Sequence, residues 1–110
     1  MATHDRTDQI LEQLANDNPE LMEGLVGLQV QNIESSGLGP KLHAIVRLAS
    51  LISVGAPPAS YAWQLSLARE AGVTIDEIAG VLVAVAPTAG LPRVAAAAPA
   101  IKAVLADHAD

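Results

Sequence analysis

His43 and Arg47 stand four residues apart in the apolar stretch KLHAIVRLASLISV, and on a helix that spacing puts them on one face. A guanidinium beside an imidazole suits a small carboxylate, Arg47 holding it through paired N–H donors and His43 acting as acid or base. The competing reading is structural, with His43 near a helix start and Arg47 paired to an acid of another helix or subunit. Further on, SYAWQ gathers Ser60, Tyr61, Trp63 and Gln64. Tyr61 and Gln64 could line a pocket, where Gln64 would orient a ligand but not move a proton, because an amide has no titratable group. Alternatively Tyr61 and Trp63 fill core or interface volume with their polar tips at the rim. Ser60 becomes a nucleophile only with a base beside it, and His43 is the nearest histidine in sequence; a serine in the first turn of a helix needs no such role. Arg93, alone among apolar residues, would cap a helix end, close a cavity or pair across an interface, the last being favoured.

Composition removes several classes of chemistry. The chain contains no cysteine, so it has no disulfide, thiolate metal site or thiol redox step of its own. Its histidines, His4, His43 and His108, are too dispersed to suggest a metal centre, and no cofactor is expected. Gly24 and Gly27 follow no strand and lack the spacing of a phosphate-binding loop; they read as sites of close helix crossing. With 12 acidic against 6 basic residues and a net charge of -6, neither nucleic acid nor an anionic membrane surface is an expected partner. The opening MATHDRTDQ is acidic where a signal peptide is basic, and the uncharged run from Leu48 to Ala68 is divided by Gly55, Pro57 and Pro58. A cytoplasmic protein without membrane spans is expected.

The elements that must position these residues are helices. A chain 51% hydrophobic but 2% aromatic has a core of Ala, Leu, Val and Ile, which favours helix-on-helix packing within one domain spanning 1–110. Ile10, Leu11 and Leu14 predict a short amphipathic helix from about Asp5 to Asn16, so that residues 1–17 form an N-terminal helix and tail. Asn18-Pro19-Glu20 starts a second helix that turns Leu21, Leu25, Leu28 and Ile33 to the core, with Met22, Val26 and Val30 on a flank, and ends at Ser35-Ser36-Gly37. The third, from Pro40 to Gly55, has almost no polar face and should be central and buried. The fourth runs from about Pro58 to Ala71 and closes at Gly72. Thr74 and Glu77 form a capping box that opens a fifth helix, apolar on nearly every face up to Pro87, which should be buried on all sides or lie in a subunit contact. The sixth starts around Leu91-Pro92-Arg93, meets Pro99 and ends near Ala106, leaving His108 and Asp110 in a tail. No period-2 alternation of useful length occurs; the expected fold is all-α with about six helices.

The order of an apolar helix, a proline-marked break, a helix closing on Ala68-x-x-x-Gly72, the Thr74-x-x-Glu77 box and a second apolar helix resembles the carboxymuconolactone decarboxylase family, whose fold the alkylhydroperoxidase D proteins share. The resemblance is closest over 40–106. It implies an alkylhydroperoxidase D-like helical protomer assembled as a homo-oligomer, commonly a trimer or hexamer, with a cavity near helices three and four. Members with thiol chemistry carry Cys-x-x-Cys-x-x-x-His, a glycine eight residues after the histidine, and a glutamate on the preceding helix. Counting back from Gly72, Gln64 stands at the histidine, Ser60 at the second cysteine and Pro57 at the first, while the glutamate position falls at Ala44 or Ile45. A peroxidase or disulfide reductase is therefore excluded on chemistry. The resemblance leaves two functions open. One is binding or cofactor-free conversion of a small carboxylate-bearing molecule, by decarboxylation or a lactone/keto-acid type reaction, at His43, Arg47, Ser60, Tyr61 and Gln64. The other is a non-catalytic structural or interaction oligomer that kept the fold and lost the site.

Overall fold

The computed structural model describes the backbone of residues 2–15 and 19–108, with side chains at 5–9, 11–12 and 27–107. Among the described residues the fold is all-α, with α1 Ala2–Ala15, α2 Pro19–Ser36, α3 Pro40–Val54, α4 Pro58–Glu70, α5 Ile75–Ala89 and α6 Leu91–His108. The chain divides into two compact units, residues 1–37 and 38–110. No helix of the described residues is long and apolar enough to cross a membrane.

The first unit holds α1 and α2. It also carries the whole formal net charge: residues 1–37 contain seven acids and one base, whereas residues 38–110 contain five of each. Leu28 and Val30 are exposed and Ile33 is half-buried, so Leu28 does not face a core as its spacing suggested. Among the described residues nothing lies within 4 Å of where a Cβ on Gly27 would be, so no close helix crossing occurs at Gly27, while the surroundings of Gly24 lie outside the described residues. The cap at Asn18, the tail residue Asp110 and the side chains of Ile10, Leu14, Leu21, Met22, Leu25, Val26 and His108 lie outside the described residues.

In the second unit local chemistry sets the helix boundaries. Pro40 and Pro58 open α3 and α4 at positions where a missing N–H costs nothing. Both helices stop the same way. Gly55 and Gly72 take φ of 72° and 92°, conformations that a side chain would strain, and the next residue reaches back over the last turn, Ala56 N–H to Leu51 O and Val73 N–H to Ala68 O. The Thr74 hydroxyl accepts from the Glu77 N–H at 3.0 Å while the Glu77 carboxylate accepts from the Thr74 N–H at 2.9 Å, completing the capping box. α5 then runs through Pro87 to Ala89, past the expected stop, and Gly90 turns the chain into α6.

α3 packs on α4, α5 and α6, and α6 packs on α3, α4 and α5, so these two helices form the central pair with α4 and α5 to either side. Each contributes one stripe. α3 gives Ala44, Leu48 and Ile52; α4 gives Tyr61, Leu65 and Ala68; α5 gives Ile78 and Val81; α6 gives Ala97 and Ile101, with Val73 filling the α4–α5 turn. Two expectations change here. α3 is central but not buried all round, since Leu42, Val46, Arg47, Ser50 and Val54 are exposed. α5 likewise leaves a full face in solvent, with Val83 74% exposed, so burial on all sides within one protomer is ruled out. Both helices are apolar beyond what one protomer needs, and composition alone does not separate a core-facing stripe from an uncharged outer face.

The α5 cap predicts a pH dependence. The Thr74 N–H bond and then Lys41, 3.0 Å away, hold the Glu77 carboxyl below its ordinary value. Because the shift is downward in the folded state, the stabilisation is present above the ordinary carboxylate range and lost as pH falls through the lowered value. Glu77→Gln should melt below the parent protein at pH 7, and the gap should close on acidification. A gap independent of pH, followed by circular dichroism, would count against this reading.

Candidate functional site

Of the α4 residues singled out in sequence, Gln64 is the one whose side chain reaches α3, at the carbonyl of Ala44 beside His43. On α4, Tyr61, Gln64, Leu65 and Ala68 follow the i, i+3, i+4, i+7 spacing and form its buried stripe. On α3, His43 and Ala44 lie in the first turn and a half, where the His43 N–H bonds the Gly39 carbonyl at 2.9 Å. Gln64 Nε2 reaches across to the Ala44 carbonyl at 3.5 Å, a long and therefore weak hydrogen bond. The position counted for the family's histidine and one of the two counted for its glutamate thus face each other, with an amide on one side and a main-chain carbonyl on the other.

Burial separates the candidates. His43 is 3% exposed, Gln64 6% and Tyr61 1%. His43 and Gln64 are the buried polar or charged side chains of the described residues, set in an otherwise aliphatic core with Tyr61. Burial raises the Tyr61 phenol above its ordinary value, so it stays protonated, an un-ionised hydroxyl, across the physiological range. Arg47, one turn beyond His43, is exposed, and Ser60 is half-buried in the first turn of α4, its N–H bonded to the Pro57 carbonyl at 3.0 Å. Neither side chain makes a hydrogen bond or ion pair among the described residues. The shared face of His43 and Arg47 therefore runs from core to solvent along α3. Trp63, 37% exposed, points away from the Tyr61–Gln64 stripe.

Arg93 takes the first of its three readings. From the first turn of α6 its Nη1 donates to the Ser53 carbonyl, one of the last acceptors of α3, and it lies 3.5 Å from where a Cβ on Gly55 would be. Among the described residues no group of His, Asp and Glu is placed to hold a metal ion.

A second concavity went unnoticed in the sequence. Between α5 and α6 lies an open groove of about 400 Å³ with Ile78 and Ile101 in its floor, Ile75, Leu82 and Leu105 around them, and Lys102 as its one charged lining residue. The signal was the absence of charge along α5, which spacing alone attributes to burial or subunit contact.

No curated protein and no solved structure gives a significant match to this chain. The family model for the carboxymuconolactone decarboxylase family matches residues 19–103, a span that includes α2 to α5 and α6 as far as Ala103. The cysteine-free chain described here belongs to the carboxymuconolactone decarboxylase family.

Proposed function

We propose that this chain uses the α3–α4 contact to bind a small carboxylate-bearing molecule, without thiol chemistry, as a cytoplasmic homo-oligomer. The observation that carries the reading is the pair of buried polar side chains, His43 and Gln64, in a core that is otherwise aliphatic apart from Tyr61. Burying an imidazole and an amide opposes folding unless they are well bonded, and Gln64 has only a 3.5 Å bond to show for it. A ligand that bonded these groups would offset that cost. In this reading the exposed Arg47 draws in the carboxylate, Ser60, Tyr61 and Gln64 bond the remainder, and His43 is the acid or base. Turnover would then be a decarboxylation or a lactone/keto-acid type step. On loss of carbon dioxide the carbon–carbon bond breaks, the electron pair stays on the substrate carbon, and that carbon takes a proton delivered through His43. Homo-oligomer formation is supported by family membership and by the outer face of α5, which carries no charge beyond Glu77.

The test is a ligand-detected NMR screen of small keto acids and unsaturated dicarboxylates against the whole chain. Arg47→Ala should weaken a binder about tenfold to a hundredfold, the loss expected for a hydrogen bond to a charged group. His43→Ala should remove turnover, and Gln64→Leu should abolish binding while leaving the melting temperature unchanged or raised, since it relieves a poorly bonded amide. If the His43 and Arg47 variants instead unfold or dissociate, those residues are structural. The second reading, an oligomer that kept the fold and lost the site, draws on the near-complete burial of Tyr61 and Gln64. It stands if the screen finds no binder and Gln64→Leu does nothing but stabilise.

A further inference from the structure

We propose that the α5–α6 groove is a binding site for a free, unbranched aliphatic carboxylate, separate from the α3–α4 site. The groove has the volume of a small-molecule pocket, about 400 Å³, in a range where ligand sites run from about 300 to 1,000 Å³. Its lining is aliphatic except for Lys102, so it offers no hydrogen-bonding set for a sugar or nucleotide and no ring to stack on a base. From Ile75 to Leu82 it follows two turns of α5, about 10 Å at the helical rise, a length along which an extended alkyl chain can lie. Lys102 is exposed and has no ion-pair partner among the described residues. Its own unit, residues 38–110, has balanced formal charge. A lone ammonium selects a monoanion, and the hydrocarbon beside it selects one with an alkyl tail.

Titrating the full-length, isotope-labelled protein with hexanoate, octanoate and decanoate below their micelle concentrations tests this. Amide shifts should appear at Ile78, Leu82, Ile101 and Leu105, and affinity should rise about fourfold per added methylene, the factor equivalent to ~0.8 kcal/mol per buried CH₂. Decanol, with the same tail and no charge, should bind more weakly than decanoate. Lys102→Gln should bring decanoate down to the decanol value and leave decanol unchanged, while Lys102→Arg should restore the difference. Ala98→Phe, which fills the groove, should weaken both. Shifts at Ala44 and Gln64 in place of the groove would overturn the proposal, as would affinity independent of chain length or a Lys102→Gln variant that binds decanoate as before. If Leu82→Asp breaks an assembly measured by sedimentation, the groove belongs to a second copy of the chain and the proposal fails, while the α3–α4 reading is untouched.

Discussion

Leu48→Ala is expected to lower the unfolding free energy of the α3–α6 unit by about 3 to 5 kcal/mol, measured by urea denaturation. Leu48 is 0% exposed, at the middle of the α3 stripe between Ala44 and Ile52. α3 packs against three other helices, so a void there cannot be filled by moving one neighbour without separating another. Domains of this size are stable by about 5 to 15 kcal/mol, so the variant should lose a large share of its folded margin. A loss under about 1 kcal/mol, below the range for core leucines, would show that the four helices are loosely packed.

Tyr61 should give an effect of similar size with a different signature. Removing its buried ring as Tyr61→Ala is expected to cost about 3 to 5 kcal/mol, the range for large aromatic truncations. Tyr61→Phe keeps the volume and removes the hydroxyl, and the two proteins should part company only at alkaline pH. Burial raises the phenol's titration in the folded chain, so the unfolded chain ionises first. The tyrosine protein should therefore lose stability as pH rises through about 10, the ordinary phenol value, and the phenylalanine variant should not. Melting curves at pH 8 and 11 distinguish the two. If ligand binding at α3–α4 also falls in Tyr61→Phe at neutral pH, the hydroxyl touches the ligand.

How much of this was legible in sequence depends on the range of the interaction. The Thr74–Glu77 box, the proline starts of α3 and α4 and the glycine stops at Gly55 and Gly72 are decided within six residues, and each was read correctly. The buried face of α4 did not follow from spacing, which left Tyr61 between pocket lining and core filling and drew no stripe. Nor did the facing of Gln64 to Ala44, because the count across Val54 to Pro57 left the α3 partner undecided between Ala44 and Ile45. The different fates of His43 and Arg47 were hidden for a related reason: spacing places side chains on a face but does not say where along the helix the core ends. The α5–α6 groove depends on how two helices rotate about their own axes, which no local pattern encodes. Outer faces such as that of Val83, Ala84 and Pro87 look like core in a sequence so poor in charge.

The bond from Arg93 to the carbonyl of Ser53 joins residues 40 apart in sequence. Helices α3 to α6 can each begin to form from contacts a turn away, on a timescale set by local closure. This bond closes a span of 40 residues, so it carries a larger ordering cost than those local contacts. A contact of that range is expected to form late and to contribute little to the barrier on the way in. On the way out it is among the contacts still to be broken, so the α3–α6 seam draws persistence from Arg93 more than speed of assembly. A lone cation that spacing alone assigned to an interface thus ties the first turn of α6 to the last turn of α3 within one chain.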